Sequence, residues 1–248
     1  MYVPETPETY APMKNPGAYS KGWAELAYQS DQYTRHQEVR SAWNTQSLPL
    51  FVRLFDRMSV WEGEDGGLQT IIPSTLTLGL LGYPFVLPDM IGGNAQSFAG
   101  GAFPDKELFV RWLQANALLP AMQFSIPPWL YDEEVVAITQ KYIKLHEQYA
   151  PTIIALAHEA VATGRPIIRP LWWVAPEDEV ALTISSQFLL GDDVLVAPVL
   201  VRGARRRDVY IPNGDWKDLL RGQTVTGPTW LREYEVQLHE LPVFERSG

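Results

Sequence analysis

The stretch YPFVLPDMIGGN, residues 83–94, runs apolar up to Asp89 and then stops at the pair Gly92-Gly93. A strand that is apolar on both faces belongs inside a layered α/β fold, and in such folds ligands gather at the carboxyl ends of the strands. Asp89 would then stand at a site. A second reading is an Asx-type turn, in which Asp89 caps its own backbone and the glycines supply positive φ. The segment alone allows both.

Its surroundings repeat the pattern. Upstream, LPLFVRLFD (48–56) is another apolar run ending on an acid, and a short strand near residues 37–42 carries Arg40. Between the two acids, Leu68, Ile71, Ile72, Leu76 and Leu80 fall at helical spacing behind Gly66-Gly67. Downstream, Leu108, Trp112, Ala115 and Leu119 do the same. Residues 132–163 read as one long helix or two shorter ones, with Pro151 the expected break and Gly164 the cap. RPIIRPLWW (165–173) forms a further strand. Before all of these, residues 1–20 read as an extended loop and 20–33 as a helix.

Strand alternating with helix is the signature of parallel βα units. The candidates near residues 38, 52, 86 and 169 number four, and a closed α/β barrel needs eight. Beyond Pro176 the texture changes to short β-rich runs punctuated by Gly-Asp, Pro-Asn-Gly and Gly-Pro, as in an antiparallel sheet. The expected organisation is therefore half of an α/β barrel over residues 1–176, followed by an antiparallel β-domain over 177–248.

Composition narrows the chemistry. With 20 Lys+Arg against 29 Asp+Glu the chain is acidic, so no nucleic-acid partner is expected. The run Arg205-Arg206-Arg207 reads as a solvated turn. No cysteine is present, which excludes thiol catalysis and cysteine-bound zinc. His36, His146, His158 and His239 are scattered without metal-ligand spacing, and no phosphate loop or Gly-x-Ser-x-Gly elbow occurs. No metal or cofactor is expected. Residues 76–87 are apolar but broken by Gly79, Gly82 and Pro84 well short of a membrane span, and the first residues do not read as a signal peptide. Nine tryptophans and eleven tyrosines supply faces on which sugar rings stack, although a large aromatic core accounts for most of them.

If the strands are parallel neighbours, Arg40, Asp56 and Asp89 point into one concave site. Paired carboxylates in an aromatic cleft are what glycoside hydrolysis needs, and an arginine beside them holds one ionised or grips a hydroxyl. The bland alternative for Asp56 is a surface salt bridge with Arg53 or Arg57.

These segments resemble the family 31 glycoside hydrolases. Tyr83–Gly93 is similar to that family's Asp-x-x-Gly strand, Arg111-Trp112-Leu113-Gln114 to its Arg-Trp-x-Gln helix start, and RPLWW (169–173) to its last barrel strand. SQFLLGDDVLVAPVL followed by DVYIPNGDW is similar to its run into the first C-terminal β-domain. LPDMIGGN, MQFSIPPW and RPLWW resemble, more narrowly, its animal myogenesis-regulating glycosidase branch. The resemblance implies an α-glycosidase working with retention on a carbohydrate substrate, an α-galactoside or an α-glucoside. It makes Asp56 the general acid/base, in the family's spacing from Arg40, and makes Arg40, Asp89 and Ser125 substrate contacts. Trp172 is a candidate wall, with Trp112 and Trp173 more often packing residues.

Two departures bear on specificity. The acid/base normally follows Trp-x-Gly, whereas here Leu54-Phe55 precede Asp56 and Arg57 follows it; and the position of a substrate-binding histidine is Ser125. The nucleophile strand would fall before Met1, and Glu5 and Glu8 match no part of its motif. The chain is accordingly expected to be a carboxyl-terminal portion complemented by a missing amino-terminal half. The rival expectation is a catalytically inactive carbohydrate-binding or interaction module of the same fold. Compartment is not legible, although the resemblance implies a secretory-pathway parent.

Overall fold

The computed structural model describes residues 15–31, 33, 37–63, 66–94 and 103–247. Helix α1, Pro16–Ser30, starts where the Asn15 side chain accepts the Ala18 N–H at 3.0 Å, with proline at the first helical position. Strands β1 (Glu38–Val39), β2 (Phe51–Arg53) and β3 (Val86–Leu87) pair in parallel and in that order. A 3-10 turn, Leu68–Thr70, runs straight into α2, Ile71–Leu80, which connects β2 to β3. Helix α3, Lys106–Asn116, is capped by Asp105, and α4, Glu133–Thr163, by Asp132, each side chain accepting the N–H three residues on.

Helix α4 runs unbroken through Pro151. Proline removes one intrahelical bond, to the Glu147 carbonyl, yet both residues are exposed and water takes up the freed group. The expected stop at Gly164 is present, in the left-handed region at φ 78°. Among the described residues no helix is long and apolar enough to cross a membrane.

The expected last barrel strand requires correction. Ile168–Arg169 forms β4, but it pairs antiparallel with β5 (Phe188–Leu190) and not with the parallel sheet. It opens a six-stranded sheet ordered β4-β5-β6-β9-β7-β8, in which β6 is Val194–Val196, β7 Arg206–Asp218, β8 Thr224–Glu235 and β9 Val243–Arg246. A two-residue apolar run does not say which sheet will claim it. Beyond β3, the Ile91 N–H donates to the Gln123 carbonyl at 2.9 Å, which ties residues near 123 to the end of the parallel layer.

Strands β4, β5 and β6 of this sheet are buried on both faces, and side-chain alternation divides the sheet's buried residues between two cores. Phe188, Leu190, Val194 and Val196 join Ile72, Phe109, Trp112 and Leu113 in the core under α2, α3 and α4. Leu189, Leu195, Val209, Trp216 and Phe244 face the other way into a second core.

Arg111 welds the two parts together. Its fully buried guanidinium leaves α3 and donates to Gln114 Oε1 at 2.9 Å and to the carbonyls of Ala204, Val236, Gln237 and Glu240 at 3.2–3.3 Å. Gln114 Nε2 adds the Leu238 carbonyl at 2.7 Å. No carboxylate touches Arg111, and burial lowers its pKa to about 10. A second cross-link is a ring in which Arg165 and Arg169 each contact both Glu159 and Asp192. Burial pushes the Asp192 carboxyl up, but the hydrogen bonds and charges of Arg169 and Arg165 outweigh it and hold its pKa below the ordinary aspartate value.

Replacing Arg111 with Met is expected to destabilise the fold by about 3 kcal/mol, since four carbonyls lose their donor. Urea unfolding measures this, and a loss under about 1 kcal/mol would show that the weld is dispensable. Asp192 binds its proton less readily folded than unfolded, so its contribution is full above the ordinary aspartate range and fades as pH falls through that range and below. Asp192→Asn should therefore flatten the decline of the urea midpoint between about pH 5 and pH 2 relative to the native chain.

Candidate active site

Parallel pairing brings the carboxyl ends of β1, β2 and β3 side by side, and with them Arg40, Asp56 and Asp89. The same Arg40 nitrogen, Nη2, pairs with Asp56 Oδ1 at 2.6 Å and with Asp89 Oδ1 at 3.2 Å. The expected convergence of these three groups is present.

Asp89 is the hub. It is fully buried, in the left-handed region at φ 72°. Oδ1 also accepts Arg53 Nε at 2.8 Å, and Oδ2 accepts the Arg57 backbone N–H at 3.2 Å. Its partners therefore lie on neighbouring strands, and the Asx-turn reading does not describe it. A left-handed aspartate costs on the order of 1 kcal/mol, which two guanidinium contacts offset. With both oxygens engaged and its side chain enclosed, Asp89 holds the arginines in place.

The glycines do supply the expected positive φ, 88° at Gly92 and 78° at Gly93, and they answer a second need as well. At Gly93 a Cβ would stand 2.9 Å from Ser59 N and 3.0 Å from the Arg57 carbonyl. That close approach lets Ser59 Oγ donate to the Gly92 carbonyl at 2.6 Å and the Asn94 N–H donate to the Arg57 carbonyl at 2.7 Å. The loop after β2 is thereby stitched to the loop after β3.

Arg53 and Glu38 were not expected at the site. Arg53 donates to Glu38 Oε1 at 2.9 Å as well as to Asp89, giving an alternating chain Glu38, Arg53, Asp89, Arg40, Asp56. Burial opposes the Arg53 charge, but Glu38 and Asp89 more than compensate and raise its pKa. The signal was present: in FVR the middle residue Val52 is buried, so Arg53 and Phe51 share the other face of the strand. Arg57 points inward under Phe55, fully buried, its Nη1 donating to Thr70 Oγ1. Desolvation lowers its pKa to about 10 against the opposing charge of Asp89. The expected salt bridge of Asp56 with Arg53 or Arg57 does not form; its partner is Arg40.

Asp56 remains open, its side chain 41% exposed. Ser125 is exposed and lines a hollow of about 430 Å³ with Phe124, Pro127, Pro128, Trp129, Thr139 and Ile143. Among the described residues it has no hydrogen bond to the Arg40 group. Trp172 is half-buried against the second core, its ring 6.0 Å from that of Trp173, which lies over Arg165 and Arg169. Trp112 is not a wall but fully buried core, its apolar spacing having the same period as a cleft-facing helix would show. Glu5 and Glu8 lie outside the described residues.

Two family models match: the family 31 glycosyl hydrolase TIM-barrel domain over residues 55–156, and the family 31 C-terminal domain over 164–248. The chain belongs to glycoside hydrolase family 31. Its first part is a portion of that TIM-barrel domain and its second the antiparallel C-terminal domain. Among family 31 relatives, the myogenesis-regulating glycosidase of Mus musculus is 48% identical over 98% of this chain and 34% of its own length. The SITS-binding protein of Tetronarce californica is 45% identical over 84% of this chain and 30% of its own. The chain thus spans about a third of these relatives. A family 31 α-xylosidase from a soil metagenome, solved with xylose, superposes with a TM-score of 0.80 at 28% identity, over 94% of this chain and 37% of that one.

Asp89→Asn keeps the shape and removes the charge shared by Arg40 and Arg53. A loss of about 3 kcal/mol in urea unfolding is expected, as for a buried pair broken on one side. A side chain that served only to bind sugar would leave stability unmoved.

Proposed function

We propose that this chain carries the acid/base half of a retaining α-glycosidase site, with Asp56 as the proton donor and acceptor. The observation that carries the reading is the Arg40–Asp56 pair: an open carboxylate at the carboxyl end of a barrel strand, oriented by a cation that is itself fixed from behind by buried Asp89. A carboxylate in that setting can reach a substrate and cannot swing freely.

In the first step Asp56 gives its proton to the glycosidic oxygen as the anomeric C–O bond breaks and its electron pair passes to that oxygen. In the second it takes a proton from the water that attacks the anomeric carbon. Retention requires a second carboxylate as nucleophile, about 5–5.5 Å from the first. Asp89 is not that group, because it is enclosed and its oxygens are taken. The nucleophile is assigned to barrel residues other than those gathered here. Arg40 meets both carboxylates through the one nitrogen Nη2 and has 38% of its side chain open, which suits it to grip a sugar hydroxyl beside the scissile bond. Ser125, exposed just past Gln123, reads a hydroxyl with a shorter reach than a histidine would have, which supports an α-galactoside as readily as an α-glucoside.

Assayed together with the barrel portion that carries the nucleophile, Asp56→Asn is expected to lower kcat/KM for an α-linked disaccharide by about a thousandfold. The loss should be far smaller for the corresponding α-glycosyl fluoride, whose leaving group needs no proton. Equal losses on both would remove Asp56 from proton transfer. Binding of the glycosides without turnover by the native protein would leave a carbohydrate-binding module.

A further inference from the structure

Phe55 stands immediately before Asp56, where the family's usual motif has glycine, and no role has so far been given to its ring. It is 52% exposed, between buried Leu54 and the open carboxylate. Leaving a benzyl group half in water forgoes on the order of 1–2 kcal/mol of burial, so the ring's position calls for a reason.

The ring is held in place. Gly66 backs it so closely that a Cβ there would meet Phe55 Cε2 at 2.6 Å and Cζ at 3.1 Å, and the backbone at Gly66 has φ 83°, which a side chain would strain. The guanidinium carbon of Arg57 lies 4.8 Å from the ring centroid. This cation is fully buried, and among the described residues its Nε and Nη2 have no hydrogen-bond partner, so the ring's π face is one of the groups it rests against. One side of Phe55 is thus held by backbone and cation, and about half of the residue stays exposed, next in sequence to Asp56.

We propose that Phe55 is the platform of a leaving-group subsite, which selects glycosides whose aglycone presents an apolar ring face, aryl or pyranosyl. The inference rests on the assignment of Asp56 as acid. A carboxyl that protonates the glycosidic oxygen must approach from the side of the departing group, so whatever departs is brought against the neighbouring ring. The C–H face of a pyranose and an aryl ring both stack on phenylalanine, and neither needs a polar partner to do so. A glycine in the same place offers no such surface.

The test, run with the barrel portion that carries the nucleophile present, compares 4-nitrophenyl α-galactoside and α-glucoside, an α-linked disaccharide and the matching α-glycosyl fluorides, on the native chain and on Phe55→Gly, Phe55→Leu and Phe55→Tyr. Phe55→Gly should lower the ratio of kcat/KM for the aryl glycoside to that for the fluoride by about tenfold, mainly through KM. Phe55→Tyr should hold the ratio, and Phe55→Leu, which keeps apolar volume without a ring face, should lose most of it. A parallel loss on the disaccharide marks a pyranosyl subsite, and a loss confined to the nitrophenyl glycosides an aryl one. An unchanged ratio in Phe55→Gly would overturn the proposal.

A second measurement needs no turnover. Saturation-transfer NMR should show the nitrophenyl glycoside binding about tenfold tighter than the methyl glycoside, with the advantage gone in Phe55→Gly. Equal affinities in the native chain would overturn the subsite. Aryl preference without hydrolysis would overturn the catalytic reading and keep the subsite; hydrolysis without aryl preference would do the reverse.

Discussion

A single enclosed carboxylate, that of Asp89, sets the geometry of the strand ends. It accepts from Arg53 at 2.8 Å and Arg40 at 3.2 Å, and it takes the Arg57 N–H on its other oxygen. A buried negative charge is tolerated only when paired and hydrogen-bonded. Three strands therefore have to arrive in the right register before it can be satisfied. Register and site are one constraint here. Arg40 is held for Asp56 because Asp89 cannot do without Arg40.

Much of this was legible in the sequence, for a simple reason. Apolar runs ending on acids at Asp56 and Asp89, with helical periodicity between them, require parallel strands, and parallel neighbours present their carboxyl ends together. What escaped notice was the second tier. Arg53 and Glu38 look like surface charges until alternation is applied to a three-residue strand whose middle residue, Val52, is buried. Asp89 was visible as a site residue, but its depth was not, since a strand-end aspartate that binds a ligand and one that binds arginines have the same sequence. RPLWW failed differently. Apolar content predicted a strand correctly and said nothing about its partner, and β5 was nearer in the fold than the parallel sheet. Trp112 took the packing role expected of it, although core and cleft share one period along α3.

The Arg-Trp-x-Gln segment shows how a motif can be tied to architecture rather than chemistry. Arg111 and Gln114 reach across to five carbonyls of the C-terminal part, while Trp112 fills the core between them. A cation matched only to carbonyl dipoles is demanding in geometry, because each acceptor must be placed by its own backbone. The loop from Val236 to Glu240 is thereby fixed against α3, and the barrel portion and the β-domain meet at a rigid seam.

The two-faced sheet has a further consequence. Strands β5 and β6 give alternate side chains to cores that lie on opposite sides of the same backbone, so neither core can be opened while the other stays packed. The two family domains are separable in sequence, but the strands that pack both cores tie their stabilities together. Excising either would strip a wall from the other.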